Sequence, residues 1–309
     1  MIIDMHYHLV IEDWGPEAWW NLITQLYVRG FKAMGMDITP EDVRKNVLDT
    51  FWDPDGENLI KEMDEAGVDK TVILPQDFGL ALGESKASVE EQNKAYADLQ
   101  NKHPDRIIAF ATVDPRRPNA SDLIEKAINE WGLKGVKLQP GTGFYPDAEE
   151  LRAFFAKLSE LGVPVLTHSG FLPLKSKHSD PIYFDDILVD FPNLTIIFAH
   201  FARGWQNLLF EMAGHRHNAA TDFSGMQFLA QSQYGLFCQN MRSALDSFGP
   251  PRVLFGTDGP FLRPLMSNKD YIQIVKDLPQ KAPDGITFTE EEIEAVLGGS
   301  AAKILGLSN

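Results

Sequence analysis

Apolar residues fall into short continuous runs separated by amphipathic stretches, and the two alternate along nearly the whole chain. Ile2–Met5 opens the series. Asp69–Pro75, Ile107–Thr112, Gly135–Leu138, Val163–Thr167, Leu194–Ala199, Asn218–Asp222 and Arg252–Gly256 follow, each reading as a strand. Most are apolar on successive positions, the mark of strands covered on both faces. The stretches between them have helical spacing: Glu57–Ala66, stopping at Gly67, then Ser88–Lys102, Ala120–Trp131 and Ala148–Leu161. Thr289–Val296 and Ala301–Leu305 read as closing helices, with Thr289 and Glu292 spaced for a capping box. Eight strand-helix units in one chain predict an α/β protein of the (β/α)8 TIM-barrel type. An open doubly wound sheet would want a glycine-rich turn after its first strand, where this chain carries His-Tyr-His.

One stretch breaks the alternation. Residues 10–57 contain Trp14, Trp19, Trp20, Phe31, Phe51 and Trp52 among turn residues, too long and too aromatic for a plain connection. It reads as an ordered excursion with short helices, packed over the barrel mouth or against a second subunit, within a single domain spanning residues 1–309.

The polar residues at strand ends carry the chemistry. His6 and His8 share one face of the first expected strand, because side chains repeat every two residues. Lys137 ends the fourth, His168 the fifth, His200 the sixth, and Asp258 follows the eighth. A barrel brings all these ends to its C-terminal rim, where catalytic loops lie. Imidazoles held on rigid strands are good ligands for a divalent metal such as zinc.

Composition narrows the partners. With 28 basic against 44 acidic residues the net charge is −16, which argues against nucleic acid and against an anionic membrane surface. The one cysteine, Cys238, excludes an intrachain disulfide, and no apolar run reads as a membrane span or secretion signal. A cytoplasmic enzyme acting on a small molecule is the expectation.

Asp4–His8 (DMHYH), Gly135–Pro140 (GVKLQP), Leu166–Gly170 (LTHSG), Ile197–His200 (IFAH) and Leu254–Phe261 (LFGTDGPF) together resemble the amidohydrolase superfamily. The nearest branch is that of aminocarboxymuconate-semialdehyde decarboxylase, resorcylate decarboxylase and pyrone-dicarboxylate lactonase. The resemblance implies one divalent metal, Zn2+ or in some members Mn2+, held by His6, His8, His168 and Asp258. It implies that His200 activates or positions the metal-bound water, and that a ligating Asp258 keeps a free oxygen able to take a proton. In other amidohydrolases a carboxylated lysine bridges two metals, and Lys137 with His168 and His200 supplies the residues for that binuclear arrangement. Phe201 departs from the glycine-rich run often found after the sixth-strand histidine. A homodimer is common in the branch.

For substrate contacts, Arg203 and Lys137 are candidates for pairing with a carboxylate, and Phe171 and Trp205 for stacking on a planar ring. Two reactions share this ligand set. The leading expectation is a hydrolase acting on a small cyclic or carboxylated compound through a metal-activated water. The alternative is a non-oxidative decarboxylase of an aromatic or unsaturated acid. A barrel that binds metal without catalysis is the third reading, distinguished by a closed coordination shell.

Overall fold

The computed structural model describes residues 1–307. Its strands are β1 (Ile3–Tyr7), β2 (Lys70–Ile73), β3 (Ile107–Ala109), β4 (Ala111–Thr112), β5 (Val136–Leu138), β6 (Val165–Thr167), β7 (Ile196–Phe198), β8 (Ala219–Asp222) and β9 (Val253–Leu254). They pair in parallel in the order β1-β2-β3 and β4-β5-β6-β7-β8-β9. β3 and β4 are two halves of one stave, interrupted at Phe110, whose N–H still bonds Ile73 O at 3.1 Å. The ends meet as well: Met5 N–H donates to Phe255 O at 2.9 Å and Asp258 N–H to His6 O at 2.7 Å. Eight staves therefore close into a (β/α)8 barrel.

Each stave is buried on both faces, which explains the unbroken apolar runs. Ile3, Met5, Val72, Leu166, Ile197 and Leu254 fill the barrel interior, sealed below by Ala301 and Ala302 of the last helix. The outward side chains, among them Ile73, Val136, Val165 and Ile196, pack against the surrounding helices. In β1 the faces change over. Register shifts between Asp4 and Tyr7, so Ile3 and Met5 point inward whereas Tyr7 and Leu9 join the helix layer. This irregularity turns His6 and His8 into the interior.

The excursion contains a longer helix than its turn residues suggest: α1 (Glu17–Ala33) runs for 17 residues from Pro16. Gly30 is tolerated inside it because a side chain there would point into open space, not packing. α2 (Pro40–Asn46) starts from a capping box between Thr39 and Asp42. Trp19, Trp20 and Ile23 of α1 pack with Val43, Leu48 and Phe51, and Trp19 stacks on Phe78 at 4.1 Å between ring centres. The Thr289–Glu292 capping box is present, and the closing helix runs on through a π turn at Ala295–Gly299. A Cβ at Gly298 would lie 2.2 Å from Met1 O, so glycine lets this turn touch the chain start. Among the described residues no helix is long and apolar enough to cross a membrane.

Candidate metal centre

β1 delivers His6 and His8 to the C-terminal rim, and the loop after β9 returns Asp258 to the same point. His6 Nε2 lies 3.2 Å from His8 Nε2, and Asp258 Oδ1 is 3.6 Å from the former and 3.4 Å from the latter. Ligands about 2.0–2.1 Å from a tetrahedral ion stand roughly 3.3 Å apart, so the three atoms are spaced as neighbouring ligands. Their protonation agrees. His8 Nδ1 must donate to Leu74 O, 2.8 Å away, because a carbonyl only accepts, and His6 Nδ1 donates to the Asp222 carboxylate at 2.9 Å. Both Nε2 atoms therefore present lone pairs to each other and to Asp258. Converging acceptors of this kind repel unless a cation lies among them, and one divalent-metal site stands here.

Charge states suit the ligands. Burial, reinforced by Lys137, pushes His6 down to about 3, and burial lowers His8 although Asp258 opposes it. Burial would raise Asp258, but the facing imidazoles of His8, His200 and His6 outweigh it and hold the carboxyl below its usual range. Neutral imidazoles beside an ionised carboxylate are the forms a metal requires.

His168, at the end of β6, is anchored through its N–H to Leu138 O at 2.9 Å. Its Nε2 is buried with no hydrogen-bond partner, and burial, then His200 and Lys137, hold the imidazole well below its ordinary value. It stands outside the tight group of three, with its ring centre 5.1 Å from that of His200. An orphaned buried nitrogen on the rim fits a fourth ligand better than a packing residue.

His200 is held differently. Its Nδ1 meets Ser224 O at 3.0 Å and Ser224 Oγ at 2.8 Å, while Ser224 Oγ donates to Asp222 Oδ1 at 2.5 Å. The carbonyl fixes the proton on Nδ1 and leaves Nε2 as an acceptor. His6, His200 and Asp222 also come together, but hydrogen bonds through Ser224 and Asp222 already satisfy this group. It orients the imidazoles. The backbone here is left-handed at three consecutive non-glycine residues, His200, Phe201 and Ala202, with φ of 61°, 51° and 48°. Phe201 thus takes the loop shape that glycines would take cheaply, with the His200 N–H pinned to Asp222 Oδ1 at 3.0 Å.

Lys137 is buried, with Nζ 3.3 Å from His6 Nε2, and burial lowers its amine to about 8 against the pull of Asp222 and Asp258. The other expected substrate residues lie away from the centre. Arg203 is exposed, and Phe171, also exposed, stacks on Trp205 at 4.8 Å with nearly parallel rings. None of these three lines the cavity above the metal site.

That cavity, of about 540 Å³, has His8, His168, His200 and Asp258 at its floor and α1 as one wall. Asp222, Ser224 and Asp4 are the supporting residues that sequence reasoning missed. Asp222 closes an expected strand, and its strand-end position was the available signal.

A family profile for amidohydrolases matches residues 3–307. Among solved structures, an uncharacterised TIM-barrel protein of Bordetella bronchiseptica is 22% identical, with 99% of this chain and 98% of that one covered at a TM-score of 0.71. The 2,6-dihydroxybenzoate decarboxylase of Rhizobium is 17% identical, covering 100% and 99%, with a TM-score of 0.72. The 5-carboxyvanillate decarboxylase of Sphingomonas paucimobilis is 18% identical, covering 99% of both, with a TM-score of 0.68. At these identities the likeness is one of fold. No curated protein matches the chain. The chain belongs to the amidohydrolase family and is a metal-dependent enzyme.

Proposed function

We propose that this enzyme is a non-oxidative decarboxylase of an ortho-hydroxylated aromatic acid, working with one divalent ion held by His6, His8, His168 and Asp258. The observation that carries the reading is the partly exposed Asp258 carboxylate, directed into a cavity whose polar groups cluster at its floor. Similar folds support it: 2,6-dihydroxybenzoate and 5-carboxyvanillate decarboxylases, one dihydroxybenzoic acid decarboxylase having been crystallised with manganese. Three imidazoles equally suit zinc.

A divalent ion held by His6, His8, His168 and Asp258 would supply Lewis acidity at the floor, where the hydroxyl and carboxylate of the substrate point. This chain's residues do the proton work. The substrate hydroxyl gives its proton to the free oxygen of Asp258, and Asp258 passes it to the ring carbon bearing the carboxylate. The carbon–carbon bond then breaks, its electron pair restores the aromatic ring, and carbon dioxide leaves. His200, on the cavity floor beside Asp258, positions the ring there. Buried Lys137, with Nζ 3.3 Å from His6 Nε2, adds positive charge beneath the floor.

The test is a panel of salicylates, lactones and esters offered to protein carrying one equivalent of manganese or zinc, with carbon dioxide and solvent-oxygen incorporation both measured. Carbon dioxide release with one solvent deuteron entering the vacated ring position supports decarboxylation. Turnover of lactones or esters with solvent oxygen incorporated, and no carbon dioxide from any acid, overturns it in favour of hydrolysis.

A further inference from the structure

The cavity above the metal site is larger and more apolar than a one-ring acid requires. A cavity of about 150 Å³ holds benzene; this one offers about 540 Å³. Away from the floor its wall is built from α1 with Met34 just after it, the loop after β9, and Phe228 of the helix that follows β8, including Ile23, Leu26, Phe261 and Leu265. Leu26, Met34 and Phe228 are 47%, 54% and 47% exposed, so apolar surface continues from the floor to the solvent.

Among the described residues no arginine or lysine lines this space. Arg263, between lining residues Leu262 and Pro264, turns its guanidinium to Glu62 and to Thr50 Oγ1 at 3.1 Å and lies over the Phe51 ring. Arg29, on α1, bonds Gln25 O at 3.2 Å, and Arg203 is exposed outside the cavity. Lys137 is buried against His6. A second anionic group on the substrate, away from the metal, would lose its hydration and meet no cationic side chain.

Resting on the decarboxylase reading, we infer that the substrate has a single polar head, the hydroxy-carboxylate at the metal, and an uncharged apolar body extending from the ring along α1. A ring bearing a medium-length alkyl chain or a second ring fits the volume and the wall. Dicarboxylic aromatic acids are disfavoured.

The experiment is calorimetric titration of metal-loaded protein with salicylate, a ring-pentylated salicylate, and the same compound with a carboxylate ending the chain. Burying each methylene is worth about fourfold in affinity, so the pentyl compound binds at least about a hundredfold tighter than salicylate. The terminal carboxylate abolishes that gain. Gly30→Phe, which places a ring in open space on the cavity side of α1, collapses the pentyl-to-parent affinity ratio, and an unchanged helical circular dichroism spectrum excludes misfolding.

Equal affinities for the pentyl and parent compounds, with carbon dioxide still released, overturn the inference and leave the decarboxylase standing. Pentylbenzene derivatives lacking the hydroxy-carboxylate that bind as tightly as the headed compound overturn the single-head assignment. If no compound yields carbon dioxide while the pentyl gain persists, the apolar body is retained and the decarboxylase reading fails.

Discussion

Asp4 accepts both the backbone N–H and the hydroxyl of Thr257, at 3.0 and 2.5 Å, and so ties the strand carrying His6 and His8 to the loop carrying Asp258. Its Oδ1 also receives the His6 N–H at 3.0 Å. Burial raises the Asp4 carboxyl to about 7 despite these bonds, so the clamp is retained at some energetic cost.

Asp4→Ala strands three buried donors. The expected destabilisation is about 3 kcal/mol, with metal affinity falling in parallel, and Asp4→Asn should lie between the two. Chemical denaturation of the metal-free protein and metal titration check it; wild-type values for Asp4→Ala would show the clamp to be idle.

His8→Ala should lose metal and activity together, whereas His200→Ala should keep the metal while turnover drops about 10²–10⁴-fold. Metal content by plasma mass spectrometry, measured beside initial rates, separates the two. Metal loss from His200→Ala would move His200 into the ligand set and revive the two-metal arrangement with Lys137.

Asp222 fixes the His6 tautomer and holds the His200 N–H. Asp222→Ala should weaken metal binding by about 10–100-fold, read by competition with a fluorescent chelator. An unchanged affinity would mean that His6 is oriented by Ser224 alone, whose Oγ lies 3.1 Å from His6 Nδ1.

Removing the metal with a chelator should lower the melting temperature by several degrees, since a ligand at a thousand times its Kd contributes about 4 kcal/mol. Zinc or manganese should restore it. Magnesium should not, because it favours oxygen ligands over imidazole. A melting temperature insensitive to chelation would contradict a site linked to folding.

Ala202 is the mildest of the left-handed residues after β7 to change. Ala202→Gly should stabilise the protein by about 1 kcal/mol, seen as a shift in the denaturation midpoint. A loss of stability would show that its methyl contact outweighs the backbone strain.

The staves were legible because each is apolar on consecutive residues, and their order alone places His6, His8, His168, His200 and Asp258 at one rim. Phe110 was not legible as a break. Ile107–Thr112 reads as one strand, and only the change of partner from β2 to β5 divides it. The left-handed turn at His200 was hidden because Phe201 and Ala202 occupy positions where glycine would have announced it. Asp222 reads as the last residue of a strand, since its partner His6 lies 216 positions away. The apolar wall escaped notice for the opposite reason: in α1 the residues that face the cavity look like ordinary core.

The first and last staves join through the bond from Asp258 N–H to His6 O, and the ligands stand on either side of that junction. His6 and His8 stand at the first stave, His168 is added at the end of β6, and Asp258 arrives only when the final strand has been made. A nascent or partly folded chain therefore has no place to hold the ion, however long His6 and His8 have been exposed. Metal uptake becomes a signal of completed assembly, and in refolding it should lag behind the recovery of helical signal.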